Sequence, residues 1–271
     1  MSKVPTSKIL ISKIEFDEIL ESNNIKKIEM VLQDCDHTPK KGAIYKIIIK
    51  NRLFESGFGS YSTSNIRGAV EREDVLLTEN QYIDLWSRGV RLNLIKAKNF
   101  PIVKFNWAKQ SVIRMHNYWE VLALFGREDA GWSSKELRCL IKESVSDNIR
   151  SMAYERKELR WTKKLFDTAI NDESEDVVST VLNIKKLSEF KINKDSMINL
   201  INRCAENWSW VVCEGMFTRE EFLQDNSLRE MVRNLCKAKP VLEKFNVAVS
   251  DYENRELKKS ITVKTGQSYS L

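Results

Sequence analysis

The chain has 271 residues, of which 42% are hydrophobic and 30% are charged, and its formal net charge is +6. That length allows one large domain or two modest ones, with enough apolar residues for a substantial core. Only nine glycines and four prolines occur, so long stretches are free of helix breakers, which argues against a β-sandwich or a barrel.

The first 109 residues are predicted to form a basic lobe of mixed α/β structure with antiparallel strands. Ser12 stands three residues before Glu15, as in a capping box, so "KIEFDEILES" is predicted to be a short helix. Alternating apolar side chains predict strands in "IKKIEMVLQD", "AIYKIIIK", "VRLNLIKA" and "PIVKFNW". Thr78 and Gln81 repeat the capping-box spacing and predict a helix between the second and third strands.

Residues 110–248 are predicted to form a helical lobe, because the spacing of apolar residues becomes helical there. "SVIRMHNYWEVLALFG" is polar only on a narrow stripe, which is typical of a helix at the centre of a core. Ser133 has capping-box spacing and begins a long helical run. Residues 249–271 are polar and are predicted to form a flexible C-terminal tail.

The predicted fold class is α+β and predominantly helical, with a small mixed α/β N-terminal lobe followed by an all-helical C-terminal lobe. The residue identities show no internal repeat. No apolar run reaches the roughly 18–20 residues of a membrane span, and the start of the chain lacks a secretory or transit pattern. We therefore predict an intracellular, cytoplasmic protein without a membrane partner, with the nucleus left open as an alternative.

No metal site and no cofactor are predicted. The five cysteines are scattered without a CxxC pair, which argues against a disulfide scaffold and a four-cysteine zinc site. Residues 34–37 read "DCDH", but four consecutive residues cannot all reach one ion without strain, so we interpret them as an exposed polar loop.

Residues 42–59 read "GAIYKIIIKNRLFESGFG", and "AIYKI" resembles the first half of the motif of GIY-YIG nucleases. That family uses a tyrosine from each of two strands, then an arginine and a glutamate on following helices, to hold a metal and activate water. The resemblance implies Tyr45, Arg67 and Glu71 as the counterparts in this chain. The motif breaks at Gly57, where the family has its second tyrosine, so the other interpretation is a strand pair with a loop.

A basic segment between Asp84 and Glu120 contains no acidic residue and carries the strongest functional signal. Basic side chains neutralise phosphates, and aromatic rings among them can stack on exposed bases. Phe105, Trp107 and Trp119 are nevertheless interpreted as core residues rather than base platforms. The predicted nucleic-acid-binding residues of this segment are Arg88, Arg91, Lys96, Lys98, Lys104, Lys109 and Arg114.

A second basic patch lies in "YERKELRWTKK". Its basic residues follow the i, i+4, i+7, i+8 spacing and are predicted to share one face of a helix. If the two patches flank a groove between the lobes, a single strand of nucleic acid could lie in it. The predicted nucleic-acid-binding residues here are Arg156, Arg160, Lys163 and Lys164.

We therefore expect a non-enzymatic, sequence-tolerant nucleic-acid-binding protein, with single-stranded RNA favoured over DNA. A helical lobe, a smaller α/β lobe, a basic groove and a polar tail resemble in general design the nucleoproteins of segmented negative-strand RNA viruses. There a terminal arm docks on the next subunit, which implies self-association through the C-terminal tail. One alternative is a protein-interaction or assembly component whose basic face meets an acidic partner. The other is a metal-dependent nuclease built on the GIY-YIG-like stretch.

Overall fold

The computed structural model describes residues 10–22, 24–51 and 67–266, apart from the side chains of residues 34 and 261–266. Throughout these ranges the chain is helical and contains no β-strand. The predicted mixed α/β lobe is therefore wrong, and the fold is all-helical. The chain divides into two compact units, Met1–Gly131 and Trp132–Leu271, whereas the sequence placed a boundary after residue 109.

Short helices build the described part of the first unit, with single 3₁₀ turns at Ala69–Glu71 and Glu128–Ala130. These helices are α1 (Lys13–Glu21), α2 (Ile25–Asp34), α3 (Ala43–Lys50), α4 (Glu79–Ser87), α5 (Arg91–Lys96), α6 (Asn106–Met115) and α7 (Tyr118–Phe125).

The second unit continues the same pattern, with a 3₁₀ turn at Lys185–Leu187. Its helices are α8 (Ser134–Glu143), α9 (Asp147–Glu155), α10 (Lys163–Ile170), α11 (Glu175–Asn183), α12 (Lys194–Glu206), α13 (Val211–Glu214), α14 (Glu220–Leu223), α15 (Asn226–Leu235) and α16 (Lys239–Gly266).

Every segment predicted as a strand lies in a helix or a turn. In α3 the buried residues are Ile44, Ile47 and Ile48, which recur at i, i+3 and i+4 and so form a helical stripe. "VRLNLIKA" contains α5, and "PIVKFNW" is a turn that enters α6. Branched residues prefer strands only weakly, because that preference depends on the packing around them. Here a helix buries these side chains, so tertiary packing overrides the local preference.

The helix starts predicted from caps are confirmed. The Ser12 hydroxyl accepts a hydrogen bond from the Glu15 amide at 3.2 Å and begins α1. Complete capping boxes begin α4 at Thr78 and α8 at Ser133. Each cap satisfies amide groups that have no partner inside the helix, so these boundaries are set locally.

Most of the described helices in both units follow one another as pairs, with α3 and the short α14 outside this pattern. In the second unit the first helices of the pairs begin at Ser134, Lys163, Lys194 and Asn226, so a pair recurs about every 30 residues. The second helices contact one another in succession, α9 with α11, α11 with α13, and α13 with α16. In the first unit, the pairs α4–α5 and α6–α7 are joined by contacts between α5 and α7. This is the arrangement of helical-repeat proteins, in which each repeat packs on its neighbours.

The longest helix of the described chain, α16, has 28 residues and two different halves. Val241, Phe245 and Val249 are buried at i, i+4 and i+8, whereas most residues from 250 to 260 are exposed. The region predicted as a flexible tail continues this helix as far as Gly266. Within the described ranges, no helix combines the length and the apolar character needed to cross a membrane.

Candidate interaction surface

An exposed face of α6 groups a tryptophan and a methionine with three polar side chains. Ala108, Val112 and Ile113 turn one side of α6 into the core. The opposite side lines a groove of about 450 Å³ with Trp107, Gln110, Ser111, Arg114 and Met115. The first four of these stand at i, i+3, i+4 and i+7 and therefore lie on one helix face. We call these five residues the α6 face.

Trp107 is the aromatic group of the α6 face and lies at one end of it, with 44% of its surface exposed. Its ring meets the ring of Trp86 edge-on at 5.5 Å and that of Phe105 at 5.8 Å between centroids. Trp86 and Phe105 are both buried, so the exposed indole rests on a packed aromatic base. Such an anchor loses little freedom when a partner covers it.

Met115 closes the other end of the α6 face and is 54% exposed. Its sulfur accepts hydrogen bonds from the Arg91 guanidinium and the Ser111 hydroxyl. The same guanidinium lies 6.0 Å from the centroid of the Trp86 ring. Arg91, predicted as a nucleic-acid contact, is therefore partly used in supporting this surface.

A second exposed tryptophan follows on α7. His116 has a φ of 49°, in the left-handed region, and separates α6 from α7 by a sharp turn. The Asn117 side chain caps α7, and Trp119 stands in its first turn with 59% of its surface exposed. Its ring meets that of Tyr118 edge-on at 5.0 Å. The interpretation of Trp107 and Trp119 as core residues is therefore wrong, whereas Phe105 is buried as expected.

Several predicted phosphate contacts form ion pairs with carboxylates from outside the acid-free segment. Lys98 pairs with Glu73, Lys104 with Glu79 at 2.7 Å, and Arg88 with Asp84 at 2.9 Å. Surface pairs of this kind add little stability, but they cancel local positive charge. In the folded chain, neighbouring carboxylates therefore offset part of the positive charge of the basic segment.

The other predicted residues of the segment differ in exposure. Lys109 is buried and donates from its ammonium to the Gly131 carbonyl at 2.8 Å, so it serves the core of the unit. Lys96 and Arg114 are exposed, and neither has an ion-pair partner among the described residues. Arg114 alone of the predicted set lies on the α6 face.

The second basic patch does not lie on one helix face, so that prediction is wrong. Helix α9 ends at Glu155 and α10 begins at Lys163, with irregular chain between them. Arg156 pairs with Glu158 at 3.5 Å, and Lys163 pairs with Asp167. Arg160 and Lys164 are exposed. A groove that joins the two patches stays a prediction.

The residues nominated for a nuclease have other roles. The stretch "AIYKI", which the GIY-YIG resemblance requires to be a strand, is in α3. The Tyr45 hydroxyl donates to Asp84 at 3.0 Å, and Glu71 accepts from the Asn93 amide at 2.8 Å. Gly57 and its neighbours lie outside the described residues. In the described part no group of three His, Cys, Asp or Glu side chains could hold a metal ion.

No protein-family model, curated protein or solved structure matches this chain.

Glu120 is a half-buried carboxylate that interacts with Arg91. Burial raises the pKa of Glu120 on α7, and the positive charge of Arg91 offsets part of that shift. Arg91 therefore links three groups of this region, namely Glu120, Met115 and Trp86.

Sequence reasoning missed the α6 face because it assigned Trp107 to a strand. The spacing of positions 107, 110, 111 and 114 is the signal that could have revealed it.

Proposed function

We propose that this chain is a non-enzymatic interaction scaffold, in which stacked helix pairs present the α6 face to a partner protein. The observation that carries the proposal is the exposed indole of Trp107 on its buried aromatic base. Tryptophan, arginine and methionine are enriched at protein interfaces, and lysine is depleted. The α6 face has the first three and no lysine.

The chemistry of the α6 face defines the partner. Trp107 and Met115 offer apolar surface that would accept an aliphatic or aromatic side chain. Arg114 offers a guanidinium whose planar donors match a carboxylate. We therefore infer a partner segment with an apolar anchor beside an acidic residue, as expected for a basic face that meets an acidic partner.

Site-specific photo-crosslinking tests this proposal. A photoreactive amino acid at Gln110, inside the α6 face, is expected to give a discrete adduct with one partner protein in cells that make this chain. The adduct is expected to fall at least about tenfold in Arg114→Glu, because the reversed charge repels the acidic partner. The same probe at Lys185, an exposed residue of the second unit, is the control. Equal adducts from both positions, or an adduct insensitive to Arg114→Glu, would contradict the proposal.

Nucleic-acid binding is a second candidate, and the exposure of Trp107 and Trp119 near Arg114 favours it. An exposed indole can stack on a base of any sequence, and an arginine can neutralise a phosphate. Single-stranded RNA remains the favoured nucleic acid.

Self-association through the C-terminal region also stays a proposal, supported by the exposed second half of α16.

Fluorescence anisotropy with a labelled single-stranded RNA at several salt concentrations tests this second candidate. If RNA binds at the α6 face, Arg114→Gln should weaken binding of all sequences and lower the salt slope by about 0.7. Lys98→Gln removes the same charge, but from a lysine already paired with Glu73, and is expected to change the slope less. If the protein binds no RNA at low salt, the second candidate function is wrong. If the two variants change the salt slope equally, RNA does not bind at the α6 face.

A further inference from the structure

A cleft between α1 and α3, in the first unit, is surrounded by lysines. It has a volume of about 220 Å³, and four lysines contribute to its lining. Lys46 and Lys50 stand at i and i+4 on the exposed face of α3, while Lys40 and Lys41 lie just before that helix. We propose that this cleft binds a phosphate group.

The floor of the cleft is apolar and well packed. Leu20 of α1 and Ile47 of α3 line it and are both buried, and Ala43 adds a small side chain at the start of α3. An apolar floor lowers the local dielectric and strengthens the attraction between an ammonium and an anion. This combination separates the cleft from an ordinary patch of solvated lysines.

Two carboxylates, Asp17 and Glu21, stand against the four lysines of the described lining and leave it with a net charge of +2. Asp17 pairs with Lys13 at 3.1 Å and with Lys40 at 3.4 Å. Burial alone would raise the pKa of Asp17, but hydrogen bonds and charge from these two lysines outweigh it and hold that pKa below its usual value. Glu21 is the other carboxylate of the lining.

The remaining lysines have no counterion among the described residues. Lys41, Lys46 and Lys50 each lack an ion pair there. Like charges at i and i+4 destabilise a helix, so Lys46 and Lys50 act against the stability of α3. A bound anion removes this repulsion. Helix α3 also begins at Gly42, which supplies no capping side chain, so its first turn adds positive potential near Lys40 and Lys41.

The size of the cleft limits the ligand. Its volume of about 220 Å³ is below the roughly 300–1,000 Å³ of pockets that enclose a whole cofactor. The lysines would therefore hold only the phosphate part of a ligand, which is one or two phosphate groups. The phosphates could belong to a small molecule or to the phosphorylated end of a nucleic acid, and both present the same chemistry.

Titration calorimetry with inorganic pyrophosphate tests the site in the full chain. Wild-type protein is expected to bind pyrophosphate, and Lys46→Gln with Lys50→Gln should weaken that binding about tenfold or more, because two charge-assisted hydrogen bonds are lost. Lys26→Gln with Lys27→Gln removes two exposed lysines of α2 outside the cleft and should change affinity less than about twofold. Lys46→Arg with Lys50→Arg keeps the charges and should retain binding.

Two results would overturn the proposal: no binding of pyrophosphate at millimolar concentration, or equal loss in the two glutamine pairs. Unchanged helicity and an unchanged or higher melting temperature of the Lys46/Lys50 pair would show that its effect is not unfolding. RNA with a 5′-phosphate or a 5′-hydroxyl distinguishes the two sources. If the protein prefers the 5′-phosphorylated RNA, and the variant Lys46→Gln with Lys50→Gln abolishes that preference, the cleft binds nucleic-acid ends. If the protein shows no preference, the cleft binds small phosphates.

Discussion

Trp107→Ala is expected to weaken partner binding at the α6 face by about 2 kcal/mol or more, roughly thirtyfold. The indole is the exposed aromatic group of that face and already rests against Trp86 and Phe105, so little freedom is lost on binding. Truncation removes the anchor and leaves a gap that water fills. The yield of the photo-adduct from the Gln110 probe, compared between wild type and variant at equal expression, measures the loss.

Matched variants separate this role from a general effect on the fold. Trp107→Phe keeps an aromatic ring at the same place and should retain most of the binding. Val145→Ala shortens another exposed apolar side chain, 94% exposed in the second unit, and should have no effect. If Trp107→Ala forms the adduct as well as wild type does, Trp107 is not the anchor and the proposed function loses its main support.

Arg127→Ala is expected to destabilise the first unit by about 3 kcal/mol or more. The Arg127 guanidinium donates to the carbonyls of Ile95 at 2.9 Å, Ala97 at 2.7 Å and Phe100 at 2.8 Å. The Ile95 carbonyl belongs to the last turn of α5, and those of Ala97 and Phe100 belong to the connection from α5 to α6. One side chain just after α7 therefore holds the start of that connection in place. An alanine leaves the carbonyls without these donors. Urea unfolding followed by circular dichroism measures the change.

The pH dependence of stability gives an independent check of the same residue. The Arg127 guanidinium holds the pKa of Asp129 below its usual range, although burial acts in the opposite direction. A carboxylate with a lowered pKa stabilises the fold above its unfolded pKa, and that contribution disappears as the pH falls through the folded value. Arg127→Ala should therefore lose less stability on acidification than wild type does.

Arg114→Ala is the control, because it removes an exposed arginine of the same unit that has no ion-pair partner among the described residues. Its effect on stability is expected to be within about 0.5 kcal/mol. Equal destabilisation by the two variants would show that the hydrogen bonds of Arg127 do not hold the α5–α6 connection.

Helix starts could be predicted from the sequence at three positions where a side chain sets them. Ser12, Thr78 and Ser133 each begin a helix as their spacing indicates, because a cap is a local interaction. The strand predictions failed in "AIYKIIIK" because Tyr45, Ile47 and Ile49 fit an alternating pattern while positions 44, 47 and 48 fit a helical one. Only packing against the rest of the unit decides between the two patterns.

The electrostatics of the basic segment could not be predicted from the sequence. Lys98 and Lys104 meet Glu73 and Glu79, each 25 residues away along the chain. The repeat was also hidden, because its residue identities differ from pair to pair. Its caps do recur, as side chains able to accept a hydrogen bond, at Thr78, Ser133, Thr162, Asn193 and Asp225.

The stacking of helix pairs determines how this protein can change in length. Successive second helices make most of the contacts between pairs in the second unit, so each pair packs on the pairs before and after it. A whole pair of about 30 residues can therefore be gained or lost while the remaining pairs keep the surfaces on which they pack. Between related chains, the natural unit of insertion and deletion is then a helix pair rather than a loop or a complete domain.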